Sequence, residues 1–485
     1  MLTNKIKTFL LTGLIIIGLT GHKSISSESA IKDNPPNFII VFADDLGYGD
    51  LGIYGHPTIS TPNLDKLAIE GQKWTNFYVG APVCTPSRAA LLTGRLPIRS
   101  GMCSDKRRVL FPDSEGGLPQ SENTIARLLK QEGYKTAAIG KWHLGHKSPY
   151  LPTDHGFDSY FGIPYSNDMS KVVEVNKPED QIEIAEEENY KAYDVPLMRD
   201  DEIIEQPADQ RTITKRYTEE AVEKIEKFKD DPFFIYLAHS LPHIPLFRSD
   251  KFEDASKAGF YGDVIEEIDW SVGQIVQRLK AHGLENNTMV LFTSDNGPWH
   301  IFKTHGGSSG LLRGAKGGTF EGGMREPAIF WWPGQIKPGV IMDLGTTMDL
   351  LPTICKLTGI ELPDDRVYDG YDISDVLLEK QASPRNTVFY YRGERVFAIR
   401  KGAYKAHFVT QLEYGSKTAH PITGEPLNIK GSRTVLEEPL LYNVDIDPSE
   451  QFNIAGENPE IVSEFEDILE EHQNSIEPVE NQLEK

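Results

Sequence analysis

The sequence has few cysteines and few basic residues. Cys84, Cys103 and Cys355 are the only cysteines among 485 residues, which excludes a fold held together by a disulfide framework. The sequence does not decide whether Cys103 and Cys355 form a single disulfide bridge. Lysine and arginine number 50 against 72 aspartate and glutamate residues, giving a formal net charge of −22. Because phosphate binding depends on basic surface, we expect no nucleic-acid partner.

Long apolar runs are also missing beyond the N-terminus. Lys5 and Lys7 precede an apolar run from Phe9 to about Leu19, which is too short to span a bilayer but typical of a signal-peptide core. We therefore expect residues 1–30 to be a signal peptide that is cleaved near Ala30. The mature protein is expected to be exported, to a bacterial periplasm or the medium, without a membrane span.

Strand and helix patterns alternate as far as residue 335. Strands are predicted over 35–45, 232–240, 288–297 and 326–334 and in a segment ending near Gly140, and helices over 61–71, 211–229 and 260–282. This alternation predicts an α/β fold, in which helices sandwich a large, mostly parallel sheet. We place this domain at 31–380. The acidic segment 171–210 lacks clear periodicity and predicts a long surface insertion.

The pattern changes near residue 380. Residues 387–409 favour antiparallel hairpins, and residues 460–473 favour a closing helix. We therefore expect a smaller C-terminal α+β domain over 381–485 that contains an antiparallel sheet.

Polar residues follow three of the predicted strands. Asp44 and Asp45 follow the first, Lys141 and His143 the second, and Asp295 and Asn296 the third. Because the carboxyl ends of parallel strands line one crevice, we expect these side chains to meet there. Aspartate and asparagine supply oxygen ligands without thiolate or imidazole, and such a set favours Ca²⁺ or Mg²⁺ over zinc.

Cys84 begins the stretch Cys-Thr-Pro-Ser-Arg. Thr85 is expected to cap a helix, Pro86 to lie in its first turn and Gly94 to end it. Cys84 would then lie where helix N–H groups favour an anion, with Arg88 adding a positive charge. The alternative for a lone cysteine is a small buried apolar side chain.

Several motifs occur together in a fixed order. They are NFIIVFADDLGYGDLG (37–52), CTPSR (84–88), GKWHLG (140–145), FGIPYS (161–166), LPHIPL (241–246), SDNGP (294–298) and GAKGGTFEGGMREPAIFWWPG (314–334). On these motifs the sequence resembles the type I sulfatases of the alkaline phosphatase superfamily, in the group around arylsulfatase A and N-acetylgalactosamine-6-sulfatase. The resemblance covers the large domain, implies an alkaline-phosphatase-like fold, and is weak in the smaller domain.

The resemblance implies a modified cysteine and a metal. Cys84 would be converted to formylglycine during export by a formylglycine-generating or sulfatase-maturating enzyme, and the hydrated aldehyde would be the nucleophile. One hydroxyl attacks sulfur and the other then expels sulfate, whereas a thiol would be left as a stable sulfur–sulfur adduct. One Ca²⁺ is implied. Its ligands would be Asp44, Asp45, Asp295, Asn296 and the modified Cys84.

The resemblance also implies roles for the remaining motif residues. Arg88 would orient the hydrate, and Lys141 and Lys316 would clamp the sulfate oxygens. Asp295 would accept the proton of the attacking hydroxyl, and Ser166 would make a further contact with the sulfate. Two histidines would complete the proton transfers: His243, jointly with Lys316, protonates the departing alcohol, and His143 accepts the proton of the second hydroxyl.

The first hypothesis is thus a calcium-dependent sulfatase acting on a sulfated polysaccharide or its oligosaccharides, with small aryl sulfates as second choice. Alternatives are a phosphonate or phosphate ester hydrolase on the same scaffold and an inactive binding protein. His300, Lys303 and His305 form either a sugar subsite or a variable loop. The sugar, the sulfate position, internal versus terminal cleavage and the oligomeric state stay open.

Overall fold

The structure is a computed structural model that describes residues 35–379, 381–411 and 433–485. The predicted signal peptide, residues 1–30, lies outside the described residues. The described chain contains a ten-stranded sheet and a separate four-stranded sheet.

The large sheet is mixed, with a parallel centre. Its strands are β1 (Asn37–Ala43), β2 (Gln72–Tyr78), β3 (Lys135–Gly140), β4 (Ser159–Gly162), β5 (Leu197–Arg199), β6 (Glu202–Glu205), β7 (Phe233–Ala238), β8 (Thr288–Ser294), β9 (Arg325–Trp331) and β10 (Gly339–Thr346). Their order across the sheet is β10-β2-β9-β8-β1-β7-β3-β4-β5-β6. The run β8-β1-β7-β3-β4 is parallel, as predicted. Beyond it, β9, β5 and β6 run antiparallel to their neighbours.

The central strands are buried on both faces. Every residue of β1 and β7 is buried, which explains why both read as continuous apolar runs instead of alternating ones. Within β1, Ile39 and Val41 belong to one core cluster, while Phe38 and Ile40 belong to another. Because side chains alternate along a strand, these two clusters lie on opposite faces of the sheet.

Helices supply the outer layers. In the large domain they are Pro62–Glu70, Cys84–Thr93, Pro97–Ser100, Ile125–Gln131, Pro178–Glu186, Ile213–Phe228, Gly259–Ala281, Glu321–Met324, Leu350–Thr358 and Ser374–Glu379. Apolar residues of Ile213–Phe228 and Gly259–Ala281 pack into one core cluster, and those of Cys84–Thr93 and Leu350–Thr358 into the other. In the described ranges, no helix has the length and apolar character that crossing a bilayer requires.

The structure decides one question that the sequence left open and refines one prediction. Cys103 and Cys355 are both buried free cysteines, so they form no disulfide bridge. The segment 171–210 is not merely a surface loop, because it contains the Pro178–Glu186 helix and the strands β5 and β6. Tyr193 and Val195 of this segment are fully buried. The segment therefore extends the sheet and adds to its core.

The C-terminal part has the predicted antiparallel sheet and closing helix. Its strands are β11 (Thr387–Arg392), β12 (Arg395–Lys401), β13 (Tyr404–Thr410) and β14 (Thr434–Asn443), paired in that order. The closing helix, Pro459–Asn474, packs against this sheet through Phe465. Tyr390 and Val388 of β11 share a buried cluster with Tyr78 and Met324 of the large domain. The two parts thus share a buried apolar cluster.

A buried ionic network crosses the same junction. Glu321 of the large domain accepts hydrogen bonds from the Tyr78 hydroxyl at 2.7 Å, the Tyr390 hydroxyl at 2.6 Å and Lys405 Nζ at 2.9 Å. Lys405 Nζ also lies 3.0 Å from Glu450 Oε1. Burial raises the pKa of Glu321, but attraction to Lys405 and other nearby cations outweighs burial and holds its pKa below the ordinary value. Glu321 is therefore ionised, and its buried negative charge is stabilised by these cations.

We expect Lys405→Met to lower the free energy of unfolding by about 3–5 kcal/mol, because it leaves two buried carboxylates without their shared cation. Urea unfolding followed by fluorescence measures this. The matched control is Lys401→Met, which breaks an exposed pair with Glu464 and should cost at most about 1 kcal/mol. Similar losses in both variants would contradict the assignment.

Candidate active site

The polar residues that follow the strands meet at one edge of the sheet, as the sequence predicts. Asp44 and Asp45 follow β1, Lys141 and His143 follow β3, and Asp295 and Asn296 follow β8. All six side chains are buried. Because β8, β1, β7 and β3 are parallel neighbours, their carboxyl ends bring these residues together from distant parts of the chain.

The Cys84–Thr93 helix points its first turn at this cluster. It begins at Cys84 itself, with Val83 as its N-cap. Thr85 was expected to be the cap, but its hydroxyl instead donates to the His143 carbonyl at 2.9 Å and accepts from the Leu110 amide at 3.2 Å. Gly94 ends the helix with a left-handed φ of 66°, as predicted. Thr85 thus ties the helix start to the loop that carries His143.

The Cys84 side chain lies at the centre of the cluster. It is 2% exposed, and its Sγ lies 3.5 Å from Asp44 Oδ1. Burial raises the pKa of the thiol to about 12, despite the attraction of Lys141 and Lys316 for a thiolate. Because the thiolate is the reactive form, the unmodified cysteine is a poor nucleophile at neutral pH.

Arg88 lies one helical turn after Cys84 and is fully buried. Its Nε and Nη2 both donate to Asp295 Oδ2, at 3.0 Å and 2.7 Å. Its Nη1 donates to the Lys141 carbonyl at 2.8 Å, and Nη2 lies 3.6 Å from Asp44 Oδ1. Since one guanidinium fork joins the residues after β1, β3 and β8, Arg88 fixes the geometry of the cluster.

Two lysines pair with the two carboxylates after β1. Lys141 Nζ donates to Asp44 Oδ2 and, at 3.1 Å, to Ser166 Oγ. Lys316 Nζ lies 2.7 Å and 2.8 Å from the two carboxylate oxygens of Asp45, and 4.3 Å from the centre of the Trp299 ring. Burial raises the pKa of Asp44, but the positive charges around it, led by Lys141, outweigh burial and hold its pKa well below the ordinary value.

The oxygen atoms of this cluster fit a hard cation. Asn296 Nδ2 donates to Asp45 Oδ1 at 2.7 Å, while Asn296 Oδ1 is buried without a hydrogen-bond partner among the described residues. Ligand atoms of Asp44, Asp45, Cys84 and His243 lie within 4.8 Å of one another. Asp295 is not in that set. Its Oδ1 accepts the Asp45 amide at 3.2 Å and its Oδ2 accepts Arg88.

His243 faces the cluster from the loop after β7. Its Nδ1 lies 2.6 Å from the Ile244 carbonyl, so Nδ1 carries the proton of the neutral ring. The other nitrogen, Nε2, lies 3.3 Å from Ser166 Oγ and 3.6 Å from Asp45 Oδ2. Burial, followed by repulsion from Lys316, holds the pKa of His243 well below the ordinary value.

His143 has the opposite tautomer. Its Nε2 lies 2.9 Å from the Leu110 carbonyl and must donate to it, whereas its Nδ1 is buried and finds no hydrogen-bond partner among the described residues. Burial and the charge of Lys141 hold the pKa of His143 well below the ordinary value. His143 is therefore a neutral base with an available lone pair on Nδ1.

These groups surround a cavity of about 340 Å³. Its walls include Cys84, His143, Ser166, His243, Trp299 and Lys316, and its mouth includes Arg108, Phe111, Asp168, Ser170 and Lys171. Of these mouth residues, the sequence singled out only Lys171, as the start of the segment 171–210, although Asp168 and Ser170 lie within four residues of the FGIPYS motif. His300, Lys303 and His305 do not line this cavity. Lys303 pairs instead with Glu179 at 2.7 Å, and His305 lies 3.6 Å from Glu186.

Comparison with known proteins places the chain among sulfatases. The sulfatase family model matches residues 36–360, and a model for the C-terminal region of aryl-sulfatase matches residues 383–485. Arylsulfatase A of Homo sapiens is 42% identical over 450 residues, which cover 90% of this chain and 87% of that protein. N-acetylgalactosamine-6-sulfatase of Mus musculus is 39% identical over 475 residues, covering 93% and 88%.

A solved structure agrees with these matches. The PsFucS1 sulfatase from Pseudoalteromonas sp. superposes with a TM-score of 0.80 at 30% identity, and the match covers 93% of each chain. The family models together span nearly all the described residues. The chain therefore belongs to the type I sulfatase family and is a sulfuric ester hydrolase.

Proposed function

We propose that this chain removes sulfate from a sulfated polysaccharide or its oligosaccharides, with residue 84 acting as formylglycine beside one bound Ca²⁺. The observation that carries the proposal is the position of Cys84. It opens a helix within a buried cluster of three carboxylates and three basic side chains, and two neutral histidines line the same cavity. Such a site neutralises and orients an anion while supplying groups that move protons.

The surroundings of Cys84 fit the modified residue better than the thiol. With a pKa of about 12, the buried thiol supplies little thiolate at neutral pH. As a hydrated formylglycine, residue 84 would supply one hydroxyl to attack sulfur and a second whose deprotonation releases sulfate. Arg88, on the same helix face one turn later, would hold that group in orientation.

The oxygen donors fit Ca²⁺. Asp44, Asp45 and Asn296 converge, and Asn296 keeps a buried oxygen without a hydrogen-bond partner in the described chain. We assign Asp295 as the fourth protein ligand, next to residue 84. When bound, the ion would supply positive charge that holds a sulfate oxygen and lowers the energy of the charge developing on it.

The sulfate itself would be held by side chains of this chain. Lys141 and Lys316 each contact one of the paired carboxylates after β1. Ser166 Oγ lies between Lys141 and His243, at 3.1 Å and 3.3 Å. We assign the two lysines to the sulfate oxygens and Ser166 to a further hydrogen bond with them.

We assign the proton transfers from the ring nitrogens of His243 and His143 that carry no proton in the neutral rings. His243 Nε2 faces the cavity, where it would hold a proton once an anionic substrate is bound, and would give it to the departing oxygen together with Lys316. His143 Nδ1, which has no partner among the described residues, would accept a proton from residue 84 as sulfate leaves. Asp295, held by Arg88, would accept the proton of the attacking hydroxyl.

The carbohydrate substrate is proposed from a relative. The mouse relative is named for sulfated N-acetylgalactosamine, which supports a sugar sulfate ahead of a small aryl sulfate.

We also propose that the protein is exported after removal of residues 1–30 and that a formylglycine-generating or sulfatase-maturating enzyme modifies Cys84. The catalytic domain would span 31–380 and the smaller domain 381–485. Sulfate released from defined sulfated oligosaccharides, beside phosphate and phosphonate esters, tests the reaction. Turnover of phosphonates alone would overturn it.

We expect Ca²⁺ to raise the melting temperature of chelator-treated protein, because a ligand that binds only the folded state stabilises it. Zn²⁺ at the same concentration should raise it less, since the proposed ligands are oxygens. Asn296→Ala should show a much smaller shift with Ca²⁺, as measured by scanning calorimetry. The control is Asp365→Asn, which removes an exposed carboxylate and should keep the full shift. An undiminished shift in Asn296→Ala would contradict this ligand set.

A further inference from the structure

A second cavity, of about 360 Å³, adjoins the catalytic one where the two domains meet. Its charged lining consists of Lys106, Arg107, Arg108, Arg392, Arg433 and Asp105. The first three basic residues come from the loop after Cys103, and the other two from the C-terminal sheet region. With the paired Glu484 and Asp113 counted, five basic side chains face three carboxylates here, which leaves a local basic excess in a chain of net charge −22. A recess of this kind concentrates anions.

The ion pairs around this cavity differ in exposure. Arg433 donates to both carboxylate oxygens of Asp105, at 2.7 Å and 2.8 Å, and both side chains are only about one-quarter exposed. The other two pairs each have one strongly exposed partner. Lys106 lies 2.7 Å from Glu484, and the Lys106 side chain is 79% exposed. Arg107 lies 2.5 Å from Asp113, whose side chain is 75% exposed. Pairs with an exposed partner contribute little to stability. An anionic ligand can therefore take over Lys106 and Arg107 at low cost, unlike the buried pairs of the catalytic cluster.

The second cavity shares a wall with the first. Both are lined by Val83, Arg108 and Phe111, and Val83 directly precedes Cys84. The guanidinium groups of Arg107 and Arg108 lie 5.2 Å and 5.9 Å from the centre of the Phe111 ring. Phe111 therefore lies within cation–π distance of Arg108 in the shared wall and of Arg107 in the second cavity. A ligand with its sulfate at residue 84 extends into basic surroundings when it passes this wall.

We propose that this second cavity, which we call the basic subsite, binds a second anionic group on a sugar unit next to the one that is desulfated. This inference rests on the proposed function and narrows it to substrates with at least two anionic groups. The second group is an oxyanion, either a sulfate ester or a uronate carboxylate, since guanidinium groups bind both in a bidentate manner. The basic subsite thus favours substrates whose neighbouring sugar carries a negative charge.

The test compares substrates in a variant of the basic subsite. Lys106→Gln/Arg107→Gln removes two charges from partly exposed side chains without altering a buried group. Four substrates are compared: 4-nitrophenyl sulfate, a monosulfated neutral disaccharide, a disulfated disaccharide, and a monosulfated disaccharide that contains a uronate. We expect kcat/KM for a dianionic substrate, relative to 4-nitrophenyl sulfate, to fall about 10-fold or more, mainly through KM.

The substrates also identify the anion. Loss confined to the disulfated disaccharide assigns the subsite to a sulfate, and loss confined to the uronate disaccharide assigns it to a carboxylate. Lys66→Gln is the matched control, because it removes an exposed charge on the Pro62–Glu70 helix, and it should leave all four values unchanged. Equal losses on all four substrates, or no loss on either dianionic one, would overturn the proposal.

A binding measurement separates this proposal from the proposed reaction. Titration calorimetry of Cys84→Ala with the two dianionic disaccharides reports affinity without turnover. We expect the added Lys106→Gln/Arg107→Gln change to weaken that affinity about 10-fold or more. If the affinity weakens in this way while the matured protein with residue 84 unsubstituted releases no sulfate, the reaction is refuted and the subsite stands. Normal turnover with an unchanged affinity would refute the subsite alone.

Discussion

Replacement of Cys84 by alanine is expected to reduce sulfate release by at least about 10⁴-fold, the scale on which removing a nucleophile reduces turnover in other hydrolases. The reason is that no neighbouring side chain can replace it. Cys84 is the first residue of its helix, and its Sγ lies next to Asp44, within the carboxylate cluster. The fold should survive, because alanine is a good helix former and removes only one sulfur atom. Release of sulfate from 4-nitrophenyl sulfate, with circular dichroism as the folding measurement, tests this.

The same experiment tests the modification. Protein made together with a maturation enzyme should carry residue 84 with one oxygen gained and one sulfur and two hydrogens lost, as measured by mass spectrometry of the peptide. Activity should rise in proportion to that fraction. Cys355→Ala is the control, since it removes another buried free thiol and should retain activity. Full activity in protein whose residue 84 is entirely thiol would refute the mechanism.

His243→Ala and His143→Ala are each expected to reduce turnover by about 10²–10⁴-fold, for different reasons. Loss of His243 removes the proton donor to the departing alcohol. Its effect should be largest on sugar sulfates and smallest on nitrophenyl sulfate, whose phenolate needs little protonation. Loss of His143 affects a step after the alcohol has left. That variant should lose similar amounts on both substrates and release a burst of one alcohol per site, with sulfated protein accumulating.

The histidine experiment has its own control. His239 is fully buried, its Nε2 lies 3.3 Å from Ser271 Oγ, and it is not among the residues that line the catalytic cavity. His239→Ala should change stability without changing leaving-group dependence. Stopped-flow detection of nitrophenol and intact-protein mass spectrometry give the two measurements. The same leaving-group dependence in His243→Ala and His143→Ala, without trapped adduct in either, would show that the roles are wrongly assigned.

Sequence patterns predicted the parts of the fold whose signals are local. β1 and β7 are continuous apolar runs, and β8 is bounded by polar residues at its carboxyl end, so each strand was located to within a few residues. β2 and β10 were missed because their stability comes from partners distant in the chain. β5 has three residues and β6 four, and such short strands exist only because a sheet edge is there to pair with.

Prediction of the site shows a similar division. The strand-end aspartates and the Cys84 motif were identified because their residue types and spacing carry the chemistry. The cap assignment of Thr85 was wrong because a threonine hydroxyl at a helix start can either cap the helix or bond to a neighbouring loop. Here it bonds to the His143 carbonyl, which lies far away in the sequence. Phe111 and Arg108 were not singled out. Their role as a wall between two cavities depends on how loops pack, which no local pattern encodes.

The buried network at Glu321 limits recombination between related chains. Glu321 lies on the short helix after the loop that carries Lys316, and its cation Lys405 comes from β13. A recombined chain that joined this large domain to another C-terminal sheet would inherit a buried carboxylate whose counter-charge sits elsewhere or is missing. Such a chimera would fold poorly unless the positions of Lys405 and Glu450 were transferred as well. The two domains are therefore expected to be inherited together.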